Sequence, residues 1–144
     1  KEYIDRYFDR YQGIRVWHEK TLVQAHQDLS VRTIFGRRRM LPDLAAKNKL
    51  VAQRAERTAI NTPIQGSAAD LLKKAMVSAF ADLQRLFPDV KLLLQVHDEL
   101  VLEVPEHQAS EVEQLVKHAM EKVVSLDVPL VVEGGRGMNW ADAH

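Results

Sequence analysis

Apolar residues recur at helical spacing in some stretches of this chain and in short, partly alternating runs in others, and these two periods predict its elements. Tyr3, Ile4, Tyr7, Phe8 and Tyr11 predict a short helix over 2–11, broken by Gly13, with a second helix over 14–28. Residues 31–35 and 38–41 read as a small hairpin closed by Gly36-Arg37 and ended by Leu41-Pro42-Asp43. A helix over 50–61 follows, setting Arg54, Arg57 and Asn61 on one polar stripe. The strongest helical pattern runs over 63–86, through Ile64, Ala68, Leu71, Leu72, Ala75, Met76, Ala79, Phe80 and Leu83, with Thr62 as its N-cap and Pro63 in its first turn. Apolar runs over 90–96 and 100–104, around the polar centre His97-Asp98-Glu99, predict a buried antiparallel hairpin. An amphipathic helix over 106–124 and a last strand over 129–133 complete the pattern. The prolines fall at breaks in it, and no repeat or low-complexity linker interrupts it, so the chain reads as one compact α+β unit, with helices packed on one face of an antiparallel sheet.

Composition changes this picture little. The chain of 144 residues, 46% hydrophobic and 28% charged, can bury a core of its own. No apolar run reaches the length of a membrane span, and the first residues lack the build of a signal peptide. There is no cysteine, which excludes disulfides, thiolate catalysis and cysteine-based zinc sites and fits a reducing cytosol. The chain starts within a helical pattern and without an initiator methionine, as expected of a segment cut from something longer.

Charge adds more. The formal net charge of zero conceals eight basic against two acidic residues over 31–57, a net of +6, and nine acidic against two basic residues over 95–133, a net of −7. A basic half suits a polyanion, and an acidic half suits divalent cations or a solvated face. Asp98-Glu99 carries most of the chemistry. Two adjacent acids between strongly apolar strands suit a core poorly, whereas a hairpin tip projects them from a stiff support. Mg²⁺ takes hard oxygen ligands, commonly one or two carboxylates plus substrate phosphates. Strand neighbours point to opposite faces, so at most one of the two is a primary ligand. The plainer reading is a turn, because Asp is a turn former. Gln65 likewise has two readings: a groove contact, or the capping-box partner of Thr62. Arg37-Arg38-Arg39 reads either as a phosphate contact or as an exposed turn.

The wider strings carry a resemblance. Gln95-Val96-His97-Asp98-Glu99-Leu100-Val101 resembles the third polymerase motif of the bacterial DNA polymerase I family (family A). The segment from Arg57 through Asn61-Thr62-Pro63-Ile64-Gln65-Gly66-Ser67 to Asp70 is similar to that family's palm segment just before it. Gly36-Arg37-Arg38-Arg39-Met40-Leu41-Pro42-Asp43 matches the upstream hairpin, and Asn139-Trp140 with the final His144 resembles the family's carboxyl terminus. The matches keep the family's order along essentially the whole chain.

The resemblance implies a partial polymerase domain, with a helical segment following the fingers at 1–30 and palm with the catalytic hairpin at 31–144. It implies nucleotidyl transfer from a dNTP to a primer 3′-hydroxyl, in DNA replication and repair, within the bacterial cytosol or nucleoid. Asp98 takes the role of a ligand to two Mg²⁺ ions, with Glu99 a supporting catalytic and metal-site acid. Arg57, Asn61 and Gln65 match residues lining the minor groove of the primer–template duplex, and His97 one close to the primer terminus. The minor groove offers similarly placed acceptors at every base pair, so amide and guanidinium donors there check pair shape without reading sequence.

An earlier metal-binding Asp motif and the fingers helix that holds the triphosphate have no match here, so the expected partners include a missing upstream part of the polymerase domain, and the isolated chain is expected to be inactive. Two other functions remain open. One is a non-catalytic primer–template duplex-binding module, whose salt-sensitive binding would ignore Mg²⁺. The other is a purely structural α+β domain that binds no DNA at low salt.

Overall fold

The computed structural model describes residues 2–143, so His144 lies outside the described residues. The chain divides into two compact units, Lys1–Ala68 and Ala69–His144, where the sequence pattern shows one.

In the first unit, helix α1 (Glu2–Arg10) and helix α2 (Gln12–Asp28) are separated at Tyr11, whose φ of −115° and ψ of 62° leave the helical region. The predicted break at Gly13 is thus displaced, and Gly13 sits in the first turn of α2. A left-handed Leu29 ends α2 and turns the chain into strand β1 (Ser30–Arg32), which pairs antiparallel with strand β2 (Arg38–Met40). The connecting loop closes on Thr33, whose carbonyl accepts from the Gly36 N–H at 2.9 Å and whose hydroxyl accepts from the Arg37 N–H at 3.1 Å. Gly36 has φ of +82°, which glycine adopts without a Cβ penalty. A 3-10 turn (Pro42–Ala45) then leads to helix α3 (Lys49–Asn61), capped by the Asn48 side chain, which accepts from the Leu50 N–H at 2.9 Å. Ala25, Ala55 and Ala59 are buried with Val31, Leu41 and Leu44 in this unit's core. Small side chains there let α2 and α3 approach closely, and His26 of α2 reaches Glu56 of α3 at 3.0 Å.

Helix α3 does not stop at Asn61. A π-turn (Thr62–Gly66) carries it into helix α4 (Ser67–Leu86). Pro63 explains the local form, since it has no N–H to give and its ring crowds the preceding turn. The expectations of Thr62 as an N-cap and Pro63 as punctuation are therefore corrected. Thr62 has φ of −61° and ψ of −43°, both helical, and its N–H bonds to the Thr58 carbonyl. An N-cap leaves the helical region; Thr62 does not.

The second unit begins two residues into α4. Strand β3 (Lys91–Val96) and strand β4 (Glu99–Glu103) form an antiparallel hairpin, with an irregularity at Leu93 between the pairs Leu92–Leu102 and Leu94–Val101. After a 3-10 turn (Glu106–Gln108) comes helix α5 (Ala109–Glu121). Leu100, Leu102 and Val104, at strand spacing, pack against Leu83, Val90, Val112 and Val116. Helices thus cover one face of the hairpin, as the α+β reading expects.

Two expectations fail here. The hairpin is not buried on both faces, because Leu93 and Leu94 are 50% and 52% exposed. The strand over 129–133 does not form. The Val132 N–H, which a strand would offer to a neighbouring strand, is taken by the Glu121 carboxylate at 3.0 Å. Arg136 bonds Glu113, which also pairs with Lys117 within α5, and so fastens the tail of this unit to that helix. Among the described residues, no helix is long and apolar enough to cross a membrane.

Candidate nucleic-acid interface and carboxylate hairpin

Arg57 and Asn61 lie four residues apart on α3, the spacing that keeps side chains on one side of a helix, and Gln65 lies four further on in the π-turn. All three are exposed, and none of their side chains holds a hydrogen bond or ion pair among the described residues. The capping-box role of Gln65 is removed with the N-cap. The Thr62 hydroxyl points back along the helix and donates to the Thr58 carbonyl at 2.7 Å. Beside the stripe, Arg39, Arg54 and Arg57 line an open groove of about 780 Å³ with Met40, Leu50 and Val51 on its apolar side and Asp43 as its acid. Three guanidinium groups against one carboxylate make this groove a cationic surface.

The Arg37-Arg38-Arg39 turn is used differently. Arg37 donates to the Gly66 carbonyl at 3.0 Å, Arg38 to the Ser30 hydroxyl at 2.9 Å and the Asp28 carbonyl at 3.3 Å, and Arg39 to the Thr62 hydroxyl at 3.4 Å. These bonds tie the hairpin to the end of α2 and to the π-turn. The Ser67 hydroxyl adds another tie, donating to the Pro63 carbonyl and accepting from the Ile34 N–H at 3.0 Å. Gly66 permits the approach, since a Cβ there would meet the Thr33 methyl at 2.9 Å and an Arg37 nitrogen at 3.3 Å.

In the second unit, the register pairs Val96 with Glu99, so His97 and Asp98 are the two central residues of a two-residue turn. Of these two, only His97 has a positive φ, +51°. One positive φ at the first central position is the type II′ pattern, which ordinarily takes glycine there. A side chain in this region costs about 1–2 kcal/mol. Gln95 supports the turn, its side-chain amide donating to the His97 carbonyl at 2.7 Å. Asp98 is exposed with no side-chain partner among the described residues, and Glu99 starts β4. At the open end of the hairpin, Lys91 pairs with Glu103 at 2.8 Å, and hydrogen bonding to Glu103 raises the Lys91 pKa.

Among the described residues, no three or more His, Asp or Glu side chains come together as a metal site. The tip offers two adjacent carboxylates, which fits one side of a Mg²⁺ site completed by other oxygens rather than a full cage. Sequence reasoning passed over two features. The Gln95 bond had one signal, a polar residue in an apolar strand two positions before the turn. The groove had none, because it depends on how the 3-10 turn packs beside α3.

A family model described as DNA polymerase family A matches residues 1–142. The chain belongs to this family. The DNA polymerase I of Pseudomonas aeruginosa is 50% identical over 142 residues, covering 99% of this chain and 16% of that relative. The thermostable DNA polymerase I of Thermus aquaticus is 50% identical over 141 residues, covering 98% of this chain and 17% of that relative. Among solved structures, the POL domain of Pol1 from M. smegmatis, in complex with DNA primer-template and dNTP, has a TM-score of 0.93 and 44% identity. That match covers 97% of this chain and 25% of the other. The family A segment seen here thus spans about one sixth of the length of these relatives.

Proposed function

We propose that this chain is the carboxyl-terminal palm portion of a DNA-directed DNA polymerase, in which nucleotidyl transfer from a dNTP extends a primer 3′-hydroxyl. In this reading residues 1–30 follow the fingers, 31–144 belong to the palm, and the protein serves DNA replication and repair in the bacterial cytosol or nucleoid. The observation that carries it is the exposed, unpartnered set Arg57, Asn61 and Gln65 in a chain of this family. Their guanidinium and amide donors suit the minor-groove acceptors common to all Watson–Crick pairs, so they hold the duplex and test pair shape without reading sequence. The cationic groove beside them suits backbone phosphates, with salt-dependent affinity. His97, at the hairpin tip, faces the primer terminus in this reading.

Asp98 would hold Mg²⁺, with Glu99 in support. Bound there, two such ions supply charge stabilisation for the attacking and leaving oxygens of an in-line displacement. The chain's own part is to hold the Asp98 carboxylate on a short, bonded turn, where little reorganisation is needed. Because the family's earlier metal-binding Asp motif and its triphosphate-holding fingers helix have no match in this sequence, the 144 residues alone are inactive in this reading.

A second reading is a duplex-binding module without chemistry, which keeps the exposed Arg57, Asn61 and Gln65 set. Primer extension separates them, using P. aeruginosa DNA polymerase I with this segment in place of its own. Under the polymerase reading Asp98→Asn abolishes extension and leaves primer–template affinity within about threefold. Normal extension by that variant removes the catalytic reading and leaves duplex binding.

A further inference from the structure

The geometry points to Gln95 as a positioning residue for Asp98, acting through the peptide that joins His97 to Asp98; this rests on the polymerase reading above. The two primed two-residue turns share a positive φ at the first central residue and differ by rotation of the central peptide, which also reverses the sign of φ at the second. Here that central peptide is His97–Asp98, and its carbonyl is the group the Gln95 amide holds at 2.7 Å. His97 has φ of +51° and Asp98 has no positive φ, so one of the two turn forms is present. Rotating the peptide would carry the His97 carbonyl away from Gln95 and reverse φ at Asp98, and with it the set of side-chain rotamers open to the Asp98 carboxylate. No glycine stands at either central position to bias the choice. The Gln95 bond supplies the bias instead.

Position and exposure agree with this role. Gln95 sits in β3 opposite Leu100, between Leu94 and Val96, and its side chain is exposed rather than part of the apolar packing under Leu100 and Leu102. It therefore contributes little to the core, and its one side-chain bond among the described residues goes to the turn. A carboxylate in the wrong rotamer leaves the fold intact, but it meets its cation in the wrong place.

The test uses the P. aeruginosa polymerase carrying this segment, with Gln95→Leu and Gln95→Glu, which are close in size and lack the amide donor at neutral pH. Both variants should melt within a few degrees of the parent. A crystal structure of Gln95→Leu should show the His97–Asp98 peptide rotated or in two orientations, with positive φ at Asp98. Single-turnover extension should fall about 10- to 100-fold, the order a misplaced group costs, while dNTP KM and primer–template affinity stay within about threefold. The Mg²⁺ concentration for half-maximal rate should rise. An unrotated peptide overturns the inference whatever the rate. A rotated peptide with normal extension and normal Mg²⁺ dependence overturns it too, provided Asp98→Asn in the same protein is inactive. If Asp98→Asn itself extends normally, the polymerase reading has failed, and the assignment of Gln95 fails with it.

Discussion

The α3 stripe and the hairpin tip are both exposed and polar, yet their construction differs. Arg57 and Asn61 stand on a helix whose backbone satisfies itself, so their side chains hold no partner and are not needed to keep the helix in place. At the tip the backbone itself is held in an unfavourable form, by a side chain two residues away. One site is a surface laid on a finished element; the other is part of how its element closes. Changes to the stripe should therefore separate function from stability; at the tip, removing the Asp98 charge should do the same, while changing the backbone preference at His97 should move both.

The largest expected effect comes from Asp98→Asn, which keeps the turn-forming residue shape and removes the charge. In a full-length polymerase carrying this segment, single-turnover extension should fall by about 10³-fold or more, with the melting temperature within a few degrees. Loss of both rate and fold would mean that Asp98 serves the turn, and the comparison would break on that side.

Next come Arg57→Ala and Gln65→Ala. Each should lower extension about 10- to 30-fold, the worth of one or two donors to a charged or polar partner, with unchanged stability. Arg37→Ala is the contrast. Its guanidinium bonds the Gly66 carbonyl, so its loss should cost about 1–2 kcal/mol in chemical unfolding and lower extension only through the folded fraction. If Arg37→Ala instead left stability intact and weakened primer–template binding in a salt-dependent way, the arginine turn would join the nucleic-acid surface.

Much of this was legible in the sequence. Helical periodicity located α2, α3, α4 and α5, since an apolar stripe must be buried wherever it occurs. The spacing of Arg54, Arg57 and Asn61 set them on one polar stripe in the same way, whereas Gln65 joined that set only through the family resemblance. What stayed hidden depends on backbone groups finding partners far along the chain. Thr62-Pro63 reads as a helix start, but tertiary bonds from Ile34 to Ser67 and from Arg37 to Gly66 hold it inside a continuous helical run. Residues 129–133 have the composition of a strand, but the Glu121 carboxylate claims the Val132 N–H. The arginine run reads as free charge and is used inside the unit. Neither the division after Ala68 nor the exposure of Leu93 and Leu94 leaves a mark on hydrophobic period.

A smaller effect, opposite in sign to the others, is expected at the turn. His97→Gly places the residue type that a positive φ prefers, and should stabilise the fold by about 0.5–1 kcal/mol once the added freedom of the unfolded chain is subtracted. Extension should fall even so, because the imidazole is gone. A variant that is both more stable and slower would sharpen the contrast with the stripe, where stability is indifferent. A less stable His97→Gly would show that the imidazole, not the turn, holds the tip.

The smallest expected effect lies away from both sites and measures what ordinary surface charge does here. Glu113 accepts hydrogen bonds from Lys117 and Arg136, and these bonds lower its pKa from the usual carboxylate value. A carboxylate with a depressed folded-state pKa contributes stability that is fully present above its unfolded value of about 4.5 and lost as pH falls through the folded value. The tail should therefore loosen from α5 only in that acid window, well below neutrality. Amide hydrogen exchange at Gly134, which lies against Glu113, compared between pH 6 and pH 3 with Glu113→Gln as control, reads this. The side chain is 23% exposed, so screening by salt should keep the effect small. Protection in the parent should drop toward the Glu113→Gln value as Glu113 is protonated. If protection instead fell between pH 8 and pH 6, a group other than Glu113 would hold the tail.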